Sequence, residues 1–171
     1  QEAIKLASLD GDSVGGVVEC VVNGLQAGEL GDALFEGLES KIAYSLYAIP
    51  AVKGVEFGGG FDLAGMRGSE ANDGFEVRDG KIRTTSNNSG GINGGISNGM
   101  PLLLRVAIKP TPSISKAQRS VDLETMTEQE LKIKGRHDAC IVPRAVPCVE
   151  SAVSLAILDE LLNLRNGIAL Y

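Results

Sequence analysis

VGGVVECVV, residues 14–22, is the first stretch that commits to a secondary structure. Its β-branched run reads as a mostly buried strand, with Gly15 and Gly16 marking a bulge or a close backbone approach, and Asn23-Gly24 breaking it. Upstream, Ala3, Ile4 and Ala7 keep helical spacing before the turn Asp10-Gly11-Asp12, so the chain is expected to start within a helix. Downstream, Phe35, Leu38, Ile42, Leu46 and Ile49 lie three or four apart and predict a helix from about Asp32 to Ala48, ended by Pro50.

Val52 to Phe57 reads as a second strand, stopped by the glycines at 58–60. Phe75–Arg78 and Lys81–Thr84 flank Asp79-Gly80, a favoured pair for a type I′ turn, and predict a hairpin. Leu102 to Lys109 predicts a strand closed by Pro110, whereas Ser120 to Lys134 has no core pattern and reads as a mobile loop. Pro147 to Arg165 is apolar on nearly every face, with a proline near its first turn and Gly167 just past its end, which predicts a helix buried in a larger body, packed on something this chain does not contain. The expected class is α+β, an antiparallel sheet packed on helices, with residues 1–171 forming a single domain.

A chain of 171 residues with 43% hydrophobic content can build a core without a disulfide or metal staple. The net charge of -6 and the lack of a Lys/Arg-rich run argue against nucleic-acid and anionic-membrane partners. Cys20, Cys140 and Cys148 show no CxxC spacing and stand with one histidine, so no zinc site or disulfide framework is indicated and a cytoplasmic location is expected. No stretch approaches the roughly 20 apolar residues of a membrane span. The start QEAIKLASLDGD has no initiator Met and no signal-peptide core, and the expectation is a soluble chain truncated at its N-terminus.

Three stretches carry chemistry. SNNSGGINGGISNG, residues 86–99, packs five glycines and seven Ser or Asn into fourteen positions. Its backbone can turn several N–H groups toward an anion, or it can form a bulged strand and loop without a ligand. It is not a Walker loop, because no Gly-Lys-Ser/Thr follows, and its GGxxGG spacing is not a GxGxxG fingerprint. KPTPS, residues 109–113, puts one cation and two hydroxyls on a backbone stiffened by Pro110 and Pro112. That suits a phosphate or the edge of a flavin ring, or else a rigid exit loop with a solvated lysine. GRHDACIVPR, residues 135–144, gathers Arg136, His137, Asp138 and Arg144. The guanidiniums can bind phosphate or carboxylate and Asp138 can exchange a proton; alternatively Arg136 and Asp138 form a structural ion pair, and His137 only ties down a loop.

Taken in order, GDSVGG (11–16), AVKGVEFGGGF (51–61), RGSEAND (67–73), SNNSGGINGGISNG, KPTPS and GRHDACIVPRAVP (135–147) resemble the C-terminal half of the chorismate synthase family. The proline usual in that family's GRHDPC is Ala139 here. The resemblance implies half of a βαβ sandwich, in which helices lie between two antiparallel sheets, and a cytoplasmic homotetramer. It implies an enzyme that eliminates phosphate 1,4-anti from 5-enolpyruvylshikimate 3-phosphate to give chorismate. Reduced FMN is required without net redox change, and NADPH belongs to the family's wider chemistry.

By the same resemblance, Pro50, Ala51, Gly94, Lys109, Pro110, Thr111, Pro112, Ser113 and Arg136 contact FMN, Arg136 also faces the substrate, and Asp138 is catalytic beside flavin N5. The family's two proton-transferring histidines and many substrate arginines belong to the other half, so this chain alone is expected to be inactive. The competing reading is a non-enzymatic anion-binding or assembly module built on the Gly-rich nest and the arginine pair.

Overall fold

The computed structural model describes residues 1–135 and 137–165. In chain order the elements are α1 (Glu2–Leu9), β1 (Gly16–Val22), a 3-10 turn (Leu34–Glu36), α2 (Leu38–Tyr47), β2 (Val52–Phe57), a second 3-10 turn (Gly60–Gly65) and α3 (Gly68–Ala71). They continue as β3 (Phe75–Arg78), β4 (Lys81–Thr84), β5 (Ile92–Asn93), β6 (Ile96–Ser97), β7 (Leu102–Ile108), β8 (Gln118–Asp122), β9 (Thr127–Leu131) and α4 (Val142–Arg165).

The main sheet has the order β1-β7-β2, and both pairings are antiparallel. β7 is central because its alternate residues Leu102, Leu104, Val106 and Ile108 are all buried, giving it a full apolar face. Onto that face pack Leu38, Ile42 and Leu46 of α2 and Ala145, Val149, Val153, Ala156 and Ile157 of α4, residues three or four apart that line one stripe of each helix. Between the helices Lys41 Nζ bridges Glu36 (2.8 Å) and Glu160 (2.7 Å). Burial pushes the lysine down, but the two carboxylates outweigh it and hold the ammonium above its ordinary range.

The α+β class stands as expected, and so do β2, β7 and the β3–β4 hairpin, whose turn residues Asp79 and Gly80 both take positive φ (53° and 71°). Four expectations need correction. β1 is an edge strand with one open face, leaving Val17 and Val21 at 60% and 50% exposure rather than mostly buried. The helix expected from Asp32 starts at Leu38, because Gly37 is extended and the Leu38 N–H goes to the Gly95 carbonyl (2.8 Å). The long helix starts at Val142 instead of Pro147, with Pro143 in the first turn where its missing N–H costs nothing; Pro147 lies inside it. Ser120 to Lys134 is not a structureless loop: its first twelve residues belong to a hairpin of β8 and β9, both faces of which are open. Its turn is held by the Asp122 carboxylate, which accepts the Glu124 and Thr125 N–H groups (2.9 Å each). Those bonds, Thr125 first, hold the Asp122 carboxyl below its ordinary range. Gly167, expected to follow the last helix, lies outside the described residues.

Candidate functional site

Three chain segments meet where β7 ends. Ile108 pairs with Gly16 at the start of β1 and with Val52 at the start of β2, so whatever follows β7 sits beside whatever precedes the other two strands. The Lys109 N–H donates to the Ala51 carbonyl (2.9 Å), which joins the Pro50-Ala51 step to the KPTPS loop. Ala51 takes φ 74°, an uncommon conformation for a residue with a Cβ. A Cβ on Gly15 would overlap the Ile108 carbonyl and reach Pro110 Cδ at 3.0 Å, so only glycine allows this approach.

The Asp10–Val14 segment fastens the same region from the other side. Ser13 Oγ donates to the Thr111 carbonyl (2.6 Å) and the Ser115 N–H to the Gly11 carbonyl (3.0 Å). Lys116 Nζ pairs with Asp12 (3.0 Å) and with Asp10. The Ser13 N–H and then Lys116 hold the Asp12 carboxyl below its ordinary range. Finally, the Val14 N–H donates to the Ala139 carbonyl (2.9 Å), bringing the Asp138 segment alongside. Two polar groups of the loop remain available: Thr111 Oγ1 is buried without a hydrogen-bond partner, and Lys109 is exposed with no salt bridge among the described residues. A buried hydroxyl without a partner is costly, and a ligand with oxygen or nitrogen acceptors and negative charge would satisfy both groups. FMN fits such a donor set.

Asp138 is exposed and, among the described residues, pairs with Arg144. Arg136, read as both cofactor and substrate contact, lies outside the described residues. His137 Nε2 reaches the Ile133 carbonyl (3.3 Å), in keeping with a loop-holding role.

The Gly-rich segment sits at the opposite end of β7. The Gly90 carbonyl accepts the Leu103 N–H (3.0 Å) and the Leu103 carbonyl accepts the Gly58 N–H (2.9 Å), and a Cβ on Gly58 would overlap the Asn88 carbonyl and the Gly90 N–H. The N–H groups of Asn88 (2.7 Å) and Ser89 (2.9 Å), with the Ser86 hydroxyl (2.6 Å), all point at the Asp73 carboxylate. This part of the segment is indeed an anion nest, and the anion is the chain's own. Burial pushes the Asp73 carboxyl up, but the Ser86 hydroxyl and the Ser89 and Asn88 N–H groups outweigh it and hold it below the usual carboxylate range.

Gly94, at φ 60°, forms the exposed β5–β6 tip, whose neighbour Gly95 touches the start of α2. Pro50 follows the other end of that ten-residue helix, roughly 15 Å away along its axis. The structure therefore brings Pro50, Ala51 and Lys109–Ser113 together, sets Asp138 nearby, and leaves Gly94 apart. Nothing in the sequence pattern marked Asp73 or Ser13; the only signal was that both lie in motifs, RGSEAND and GDSVGG, whose individual residues had no assigned task.

A sheet backed by two helices, with a lysine and an unpartnered hydroxyl at its end, defines an α+β module. The family model "Chorismate synthase" matches residues 1–162. Chorismate synthase of Dehalococcoides mccartyi is 56% identical over 165 residues, 96% of this chain and 44% of that protein. The Archaeoglobus fulgidus enzyme is 59% identical over 153 residues, 90% of this chain and 42% of that protein. A crystal structure of chorismate synthase superposes with a TM-score of 0.75 at 31% identity, covering 95% of this chain and 41% of that one. The chain belongs to the chorismate synthase family, and it spans less than half the length of these relatives.

Proposed function

We propose that this chain forms the C-terminal half of a chorismate synthase, a lyase that eliminates phosphate from 5-enolpyruvylshikimate 3-phosphate by a 1,4-anti route, working as a cytoplasmic homotetramer. The observation that carries this reading is the convergence of Pro50-Ala51, Lys109–Ser113 and the Asp138 segment at the Ile108 end of the sheet, with the Thr111 hydroxyl left unpaired.

Reduced FMN, when bound, lends electron density to the reaction and recovers it. Lys109 and the Thr111 and Ser113 hydroxyls hold it, and Pro110 and Pro112 keep those groups from rearranging. Pro50 and Ala51 approach it through backbone at the Ile108 end of the sheet, and Gly94, set apart at the other end of α2, does so only at the far end of the ligand. Lys109 and Arg136 would stabilise the negative charge that grows on the departing phosphate. Asp138 holds or accepts a proton at N5. The 171 residues alone do not turn over, because the acid-base histidines belong to the remaining length of the enzyme.

The test is Asp138→Asn in the full-length protein that carries this sequence, assayed at saturating FMN and substrate. kcat should fall about 10²-fold or more while FMN affinity changes little, since the carboxylate matters most as charge shifts. Unchanged turnover would reduce Asp138 to the surface partner of Arg144, a pair worth at most about 1 kcal/mol.

A further inference from the structure

The Asp10–Val14 segment has no place in the reaction just proposed, yet it touches both loops that do. Four consecutive residues, 11–14, each make a bond out of the segment. Gly11 accepts from Ser115, Asp12 binds Lys116, Ser13 donates to the carbonyl of Thr111, and Val14 donates to the carbonyl of Ala139 next to Asp138. Ser13 is central to this pattern, because its hydroxyl holds the backbone of Thr111, whose own hydroxyl is buried without a partner. The two prolines flanking Thr111 have no N–H to donate, which removes two of the loop's local turn bonds and gives more weight to bonds from outside it. Asp12 in turn fixes Ser13, accepting its N–H (2.8 Å) while bound to Lys116 on the far side of the loop.

We infer that Ser13 is a positioning residue for the KPTPS loop: through the Thr111 carbonyl it sets the direction of the Thr111 hydroxyl and the reach of Lys109, while Val14 ties the Asp138 loop to the same support. The inference rests on the reading of Lys109–Ser113 as the flavin-binding loop. It assigns Ser13 no contact with flavin or substrate.

The experiment compares Ser13→Ala, Ser13→Thr and Lys109→Ala in the full-length protein, each titrated with FMN and followed by thermal unfolding. Loss of one hydrogen bond that orients a ligand group corresponds to about a 2- to 12-fold change in affinity. Ser13→Ala should weaken FMN binding by several-fold at a temperature where the variant is fully folded, and Ser13→Thr, which keeps the hydroxyl, should restore it. Lys109→Ala should weaken binding directly. If Lys109→Ala weakens binding and Ser13→Ala does not, even with a lowered Tm, Ser13 is a structural residue only and the inference fails. If Lys109→Ala leaves FMN affinity unchanged, the assignment of the loop itself fails and the positioning role falls with it.

Discussion

The two ends of β7 were both read from sequence as places where a ligand could sit, and they are built on opposite principles. Before the strand, the Gly-rich segment uses its glycines to let backbone approach backbone: Gly58 against Asn88 and Gly90, and Gly91 against Pro101 and Leu102. Its N–H groups at 88 and 89 are spent on Asp73. After the strand, the KPTPS loop is held by its backbone carbonyls, and its side-chain groups at 109 and 111 stay unpaired. A small-residue composition thus describes close packing as well as it describes ligand approach. Each end keeps a buried polar atom without a partner, the acceptor Asn87 Oδ1 before the strand and Thr111 Oγ1 after it. What separates them is where the donors end, on Asp73 and Pro101 in the first and unpaired among the described residues at Lys109 and Thr111 in the second.

The largest effect should come from Gly58→Ala. The new methyl meets backbone atoms on two sides, which cannot swing away, and the residue must also keep φ 55°. Positive-φ strain and overlap with a packed neighbour together predict a loss of about 3 kcal/mol, read by urea unfolding of the 171-residue chain. A loss under about 1 kcal/mol would mean that the Gly-rich end is loose, and the contrast with the KPTPS end would collapse.

Asp73→Asn comes next. The amide can still accept at one oxygen, but its NH2 then faces the Ser89 N–H, donor against donor, for a cost of about 2 kcal/mol at neutral pH. Because the folded-state pKa lies below the unfolded value of about 3.9, the carboxylate's contribution is fully present above that value. It is lost as pH falls through the folded pKa. The stability gap between the parent chain and the variant should therefore be constant near neutrality and narrow below about pH 4. A gap that does not change with acidification would show that the nest does not depend on the carboxylate's charge.

How far the sequence led differs from element to element for the same kind of reason. β7 was legible because its apolar alternation is local and Pro110 ends it; β3–β4 was legible because two adjacent turn residues dictate the hairpin. The edge position of β1 was not, since valines stand on both faces of residues 17–22 and the pairing partner lies eighty or more positions away. The start of α2 was hidden because Phe35 keeps helical spacing while Gly95, a distant backbone group, claims the Leu38 N–H. β8–β9 carries no core pattern because it covers no core. At the site, Lys109–Ser113 and Pro50-Ala51 were marked by motif, and their convergence follows from strand register. The clasp by Ser13 and the nest around Asp73 were not readable, because each is a side chain meeting backbone that only the fold brings near.

The smallest effect, and the sharpest test of the contrast, is Gly94→Ala. A Cβ there meets nothing within 4 Å, so the cost is only that of keeping φ 60° with a methyl, about 1 kcal/mol. Gly80 supplies a matched control: it too sits in a two-residue turn at positive φ (71°) with open space around its would-be Cβ, and no ligand is proposed at that hairpin. The two alanine variants of the full-length protein should lose similar stability. If the Gly94 tip approaches FMN, as proposed, only Gly94→Ala should also weaken FMN binding, by about tenfold for an added methyl forced against a ligand face, equivalent to about 1.4 kcal/mol. Equal FMN affinity in the two variants would take the Gly94 tip out of the site. The Gly-rich end of β7 would then serve packing alone, and ligand contact would be confined to the Ile108 end.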